Sequence, residues 1–146
     1  MIAVDTNILV YAHREDSEWY EDAEGCLADL AEGRSPWGLP WPCLHEFYAI
    51  ATHPRIWAPP TPREAAIEQI DAWLASPTVA LLSEGPRHWR QLLALLDAGR
   101  IRGPLVHDAR VAALCLDHGV QALWTADRDF SRFPDLVTVN PLTRSA

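Results

Sequence analysis

Short apolar runs alternate along this chain with stretches in which apolar residues recur every three or four positions. Ile2-Ala3-Val4 is a continuous apolar run that stops at Asp5, the pattern of a parallel strand buried on both faces. Asn7-Ile8-Leu9-Val10-Tyr11-Ala12 continues as a short apolar helix, with Asp5 or Thr6 available to cap it. Beyond a solvated bend at 14–18, Ala23, Leu27, Leu30 and Ala31 keep helical spacing up to Gly33, which serves as the C-terminal cap. Three prolines and a glycine within residues 35–42 forbid a long regular element. A brief extended piece there leads into a helix over 43–52 that carries Glu46, and His53-Pro54 closes it.

Trp57-Ala58-Pro59-Pro60 punctuates the chain again. Thr61-Pro62-Arg63-Glu64 then reads as a capping box with proline at the first helical position, followed by the stripe Ala66, Ile67, Ile70, Trp73 and Leu74. Residues 78–82 read as a buried strand. A helix runs from Pro86 through Trp89, Leu92, Leu93, Leu95 and Leu96 to Gly99, and a loop at 101–106 leads to a helix over 107–116. Small residues at Ala109, Ala112 and Ala113 let that last helix pack closely. A strand over 121–125, the acidic turn Asp127-Arg128-Asp129-Phe130 and an extended piece at 136–140 finish the pattern. Strands alternating with helices predict an α/β fold whose parallel sheet is covered on both faces. With no repeat, low-complexity tract or linker, residues 1–146 are expected to form one domain.

Composition narrows the function. The chain has 146 residues and a net charge of -8. That balance argues against a protein that coats nucleic acid non-specifically, because such binding rests on many basic contacts. A nucleic-acid enzyme stays open if cations neutralise its pocket. All 12 basic residues are arginine, which excludes any mechanism needing an ammonium group. Cys26, Cys43 and Cys115 show neither disulfide nor zinc-knuckle spacing, and no apolar run matches a membrane span. With no secretory pattern at residue 1, the expectation is a reducing cytoplasm.

The chemistry lies in four acids at element junctions: Asp5, Glu46, Asp108 and Asp127. In open α/β sheets ligands collect beyond the carboxyl ends of the strands. Carboxylates that meet there raise one another's pKa unless something positive sits among them. Mg²⁺ or Mn²⁺ answers that need with oxygen ligands, one or two of them direct carboxylates. Such a site activates a water at neutral pH and neutralises charge on a departing oxygen, which is what phosphodiester hydrolysis requires. Thr6, Asn7 and Thr125 are candidates to orient the inner carboxylate. Singly, each acid is more often a helix cap or a solvated side chain; the joint pattern is what points to a site.

Four segments carry a family resemblance: Ile2-Ala3-Val4-Asp5-Thr6-Asn7, Leu44-His45-Glu46-Phe47, Val106-His107-Asp108-Ala109-Arg110, and Thr125-Ala126-Asp127-Arg128-Asp129-Phe130. In order and spacing they resemble the acidic motifs of PIN-domain ribonucleases, closest to the VapC-type toxins of toxin–antitoxin pairs, over essentially the whole chain. The resemblance implies a PIN-like three-layer sandwich, a central parallel sheet flanked by helices. It further implies a Mg²⁺- or Mn²⁺-dependent endoribonuclease, a VapB-type antitoxin whose C-terminal arm blocks the acidic groove, and a homodimer assembled with it. It carries metal-site roles onto Asp5, Glu46, Asp108 and Asp127, with Thr6, Asn7 and Thr125 in support. Asp129 matches the second acid of the last motif and ranks below Asp127, since its side chain is placed to cap the turn.

Other features have plainer readings. Trp73, Trp89 and Trp124 sit in apolar patterns and are expected in the core, whereas Trp37, Trp41 and Trp57 lie in Pro-rich loops and offer a partner surface. His107 is expected to be a hydrogen-bonded structural histidine. Arg14, Arg100, Arg102, Arg110, Arg128 and Arg132 fall near pocket-side loops and are candidates to grip RNA phosphates, Arg110 and Arg128 foremost, against the plainer expectation of surface ion pairs. His45-Glu46 lacks a histidine at position 49, so it is not a zinc-protease helix. A receiver module would need a lysine and a dehalogenase-like phosphatase an Asp-x-Asp, where this chain has Asp5-Thr6-Asn7. The remaining rival is a non-catalytic module that sequesters a partner.

Overall fold

The computed structural model describes residues 1–142; residues 143–146 of the expected domain lie outside the described residues. Five strands, β1 (Ile2–Val4), β2 (Trp37–Pro40), β3 (Val79–Leu82), β4 (Ala122–Trp124) and β5 (Thr138–Val139), form one sheet in the order β3-β2-β1-β4-β5. Every pairing is parallel, with Ile2 beside both Trp37 and Ala122, Trp37 beside Val79, and Trp124 beside Val139. The expected parallel sheet is therefore present, with β1 at its centre.

Helices fill the crossovers. α1 (Thr6–His13) and α2 (Tyr20–Glu32) connect β1 to β2, and α3 (Trp41–Ala51) and α4 (Arg63–Leu74) connect β2 to β3. α5 (His88–Gly99), a 3-10 turn at Gly103–Leu105 and α6 (Val106–Asp117) carry the chain back to β4. Right-handed crossovers in opposite directions along the sheet place α1–α4 on one face and α5 and α6 on the other. The packing agrees, since α1 meets α2 and α3, α3 meets α4, and α5 meets α6. The chain order also reverses between β1 and β4, which opens a crevice at their carboxyl ends.

The core is aliphatic and aromatic at once. Val4, Ile8, Leu39, Phe47, Leu114, Leu123 and Phe130 are buried, and Ala109, Ala112 and Ala113 bring α6 close to the sheet. Gly38 shows how tight β2 is: a Cβ there would lie 3.2 Å from Leu82 Cδ1, 3.3 Å from Met1 Sδ and 3.4 Å from Ala3 Cβ. No helix among the described residues is long and apolar enough to cross a membrane.

Several local expectations are overturned. Trp37 is fully buried, its Nε1 donating to Ser76 Oγ at 3.0 Å, so it offers no partner surface. Its indole belongs to a strand that the flanking prolines disguise as loop. Trp89 is 61% exposed, because α5 packs chiefly against α6 and position 89 faces solvent. Residues 79–82 form an edge strand in which only Leu82 is buried and Leu81 is exposed. The capping box at residue 61 does not form. α4 starts at Arg63 without a side-chain cap, because the Thr61 hydroxyl is taken by Arg14 Nη1 at 3.2 Å and His13 Nε2 at 3.2 Å.

Candidate active site

β1 ends at Val4 and the chain turns at once into α1, which makes Asp5 the N-cap of that helix. The Asp5 carboxylate is 6% exposed and meets four donors. Oδ1 accepts from Thr6 N at 2.8 Å and from the Cys43 thiol at 3.5 Å; Oδ2 accepts from Thr125 Oγ1 at 2.8 Å and Asn7 Nδ2 at 3.3 Å. Burial pushes its pKa above the ordinary 3.8, these hydrogen bonds from Thr125, Thr6 and Cys43 pull against that push, and the charge of Glu46 adds to it.

Thr125, one residue past β4, ties the site together. Its hydroxyl donates to Asp5 and accepts from Asn7 Nδ2 at 3.2 Å and from the Asp127 amide at 3.0 Å, which uses its one donor and both acceptor sites. Asn7 Oδ1 accepts from Ala126 N at 3.1 Å, so the first turn of α1 is pinned to the loop leaving β4. On the other side, Thr6 Oγ1 donates to Glu46 Oε2 at 3.1 Å and thereby holds an exposed residue of α3 at the same edge.

Asp108 stands in the first turn of α6, where the helix dipole favours a negative charge. One carboxylate oxygen each from Asp108, Asp127 and Asp129 lie within 4.8 Å of one another. Asp108 is raised from 3.8 to about 6, first by burial and then by the charges of Asp127, Asp5, Asp129 and Glu46. Five carboxylates from four segments thus share one field at the crevice between β1 and β4; Glu46 comes from the middle of α3 rather than from the junction expected for it. Among the described residues no ion pair reaches any of them. An oxygen-rich, cation-poor cluster of this kind fits a hard divalent ion.

Two placements differ from expectation. The turn cap is Asp127, whose Oδ1 accepts from Asp129 N at 2.8 Å at the start of the 3-10 turn Arg128–Arg132. The carboxylate of Asp129 does not cap the turn and instead lies with those of Asp108 and Asp127; proximity to Asp108 is a signal that only the fold supplies. The arginines also divide. Arg14 is buried, forks onto Asp16 at 2.9 and 2.6 Å and lies 4.6 Å over the Trp57 ring. Arg110 pairs with Glu84 at 2.5 Å. His107 is exposed and lines, with His45, Glu46 and Arg110, a cleft beside the acids, so the expected structural role finds no support.

A family model described as PIN domain matches residues 2–136. The chain belongs to the PIN-domain family. Within it the similarity is to VapC ribonucleases. Ribonuclease VapC43 of Mycobacterium tuberculosis is 40% identical over 97% of this chain and 96% of its own length. Ribonuclease VapC33 of the same organism is 36% identical over 97% and 99%. In fold, this PIN domain is similar to VapC20 of M. tuberculosis, a Sarcin-Ricin loop cleaving toxin, with a TM-score of 0.68 at 18% identity over 90% of this chain and 93% of that one. It is also similar to VapBC2 from Rickettsia felis bound to a promoter DNA fragment, with a TM-score of 0.66 at 20% identity over 95% and 98%. PIN-domain nucleases use divalent metal, and the acid cluster of this one has the donor chemistry for it.

Proposed function

We propose that this VapC-type PIN domain, residues 1–146, is an endoribonuclease that hydrolyses RNA phosphodiester bonds with Mg²⁺ or Mn²⁺, as the toxin of a VapB-type antitoxin in the cytoplasm. The observation that carries the reading is the convergence of five carboxylates on one crevice, with Asp108 lifted to about 6 and, among the described residues, no cation paired to any of them. Asp5, Glu46, Asp108 and Asp127 would hold the metal, with Asp129 as a fifth oxygen donor. A divalent ion bound there supplies the positive charge that makes water a nucleophile at neutral pH and offsets charge on the leaving oxygen.

The chain's own residues prepare that site. Thr125, Asn7 and the Thr6 amide hold the buried Asp5 carboxylate in one orientation, and Thr6 Oγ1 keeps Glu46 turned toward it. Fixing these groups beforehand removes reorganisation from the reaction, which is the larger part of what such a site contributes. Asp108 and Asp127 are half-buried and Asp129 is exposed, which leaves the outer side of the cluster for an arriving phosphate.

The VapBC complexes from R. felis and Haemophilus influenzae share the fold and pair VapC with VapB. For this chain we propose a VapB-type antitoxin as partner and, as a separate expectation, a homodimer of the toxin. The test is cleavage of single-stranded RNA by purified protein with Mg²⁺, with Mn²⁺ and with EDTA. Turnover that EDTA abolishes and Asp5→Asn eliminates in a folded protein supports the proposal. Metal-independent turnover, or full activity in Asp5→Asn, refutes it, and no turnover under any condition favours a partner-sequestering module.

A further inference from the structure

Arginines surround the acid cluster unevenly. Of the six placed near the pocket by sequence, Arg14 and Arg110 are consumed by Asp16 and Glu84. Arg100, Arg102, Arg128 and Arg132 are exposed, and among the described residues none of them makes an ion pair or a side-chain hydrogen bond. All four belong to segments at the carboxyl edge of the sheet. Arg100 ends α5, and Arg102 opens the turn that leads through Gly103–Leu105 into α6 and Asp108. Arg128 and Arg132 bound the turn that begins at Asp127. The two pairs adjoin, because a Cβ on Gly99 would stand 3.6 Å from the Arg132 carbonyl. Beside Arg128 a groove of about 470 Å³ runs from Thr125 and Asp127 past Ser131 to Thr138.

Arg100 carries a second signal. It adopts φ 49 and ψ 48, the left-handed cap that glycine fills without strain, and it is the only non-glycine with positive φ among the described residues. Gly99 precedes it. A long basic side chain sits where the backbone favours glycine, next to a glycine that adjoins the turn begun by Asp127, and strain kept in place there points to use of the side chain.

We infer that Arg100, Arg102, Arg128 and Arg132 form a phosphate-gripping rim that holds the RNA backbone next to the scissile bond. The inference rests on the ribonuclease reading above. Single-stranded RNA presents a phosphate at every nucleotide, and guanidinium forks engage phosphate in pairs of hydrogen bonds. In a chain of net charge -8 the rim supplies the local attraction that the molecule as a whole lacks.

The test compares Asp5→Asn, which arrests cleavage, with the same protein carrying Arg100→Gln, Arg102→Gln, Arg128→Gln and Arg132→Gln. Binding of a labelled single-stranded RNA oligonucleotide is followed across salt concentration. Four phosphate contacts at about 0.7 each in log–log slope predict that the parent loses about 50-fold more affinity than the variant between about 50 and 200 mM salt. Arg90→Gln, at the opposite end of α5, leaves the slope unchanged. Arg100→Gly alone, in the otherwise native protein, weakens RNA cleavage while leaving the thermal midpoint equal or higher, a combination that a structural arginine would not give. An unchanged slope in the four-arginine variant, with wild-type protein cleaving RNA normally, overturns the rim alone. Unchanged RNA binding with lost binding of the antitoxin overturns it in favour of a protein-docking face. If wild-type protein fails to cleave RNA at all, the ribonuclease reading falls and the rim with it.

Discussion

Replacing Asp108 by asparagine should stabilise the metal-free protein while removing its response to metal. The substitution keeps the side chain's size and deletes one charge from a group of five. In the fold Asp108 titrates at about 6 rather than 3.8, through burial and the charges of Asp127, Asp5, Asp129 and Glu46. At about 1.4 kcal/mol per pKa unit that difference corresponds to about 3 kcal/mol. The carboxyl is partly solvated, so screening reduces the figure to ~1–2 kcal/mol. The sign follows from linkage. A pKa raised in the folded state leaves stability intact below about pH 4, where folded and unfolded forms are both protonated, and removes it as pH rises through about 6. In EDTA at about pH 7.5, Asp108→Asn should therefore exceed the parent by ~1–2 kcal/mol, or about 3–6 °C in melting midpoint for a chain of this size. The gap should narrow toward pH 4. Adding Mg²⁺ should reverse the order, because the parent gains binding energy in proportion to its affinity and the variant gains less. Urea and thermal unfolding with and without EDTA, at both pH values, measure this directly. A variant less stable than the parent in EDTA at neutral pH would show that the five carboxylates do not repel one another as their placement requires.

Thr125→Val removes the hydroxyl that serves Asp5, Asn7 and Asp127 at once; leaving a buried carboxylate short of a donor should cost about 2–3 kcal/mol in urea unfolding, with most of the loss recovered in Thr125→Ser. Burial raises the Cys43 thiol well above its ordinary range and pushes Cys115 to about 12, so mass spectrometry after iodoacetamide treatment at about pH 8 should find both unmodified in the folded protein and Cys26, which is partly exposed, labelled first. Native modification of Cys43 would contradict its burial. Trp89→Gln should change stability by less than ~0.5 kcal/mol, whereas Trp37→Ala should cost about 3–5 kcal/mol, and equal effects of the two would refute the burial assigned to them.

The fold was legible because its strands are short, apolar and separated by helical periodicity, which leaves a parallel sheet as the simple solution. The acids were legible for a related reason: Asp5, Asp108 and Asp127 stand where an element begins or shortly after, and the topology sends those beginnings, α1, α6 and the turn after β4, to one edge, while Glu46 reaches it from the middle of α3. What stayed hidden depended on partners distant in sequence. Thr61 had the spacing of a capping box, but a buried guanidinium 47 residues earlier needed its oxygen more than the helix did. Trp37 was masked by prolines on both sides of a two-sidedly buried strand, and Trp89 by a helix pattern that cannot reveal which face meets solvent when α6 is the main element packed against it.

The division of labour among the carboxylates follows from how each is solvated. Asp5 tolerates burial because four donors converge on it, and that same enclosure denies it freedom to follow an incoming substrate. Asp108, Asp127 and Asp129 lack such enclosure; the first turn of α6 and the Asp129 amide offset only part of their mutual repulsion. The site therefore combines one rigid anchor with two half-buried acids and one exposed acid whose shared charge is unfavourable without metal. Arginines illustrate the complementary rule. Position alone put six of them near the pocket, and their use is decided by whether an acid faces them: Asp16, two residues on, for Arg14, and Glu84, remote in sequence, for Arg110. Local pattern reveals the first kind of partner and only the folded chain reveals the second, which is why the exposed arginines proposed to meet RNA emerge by subtraction once the structure has claimed the others.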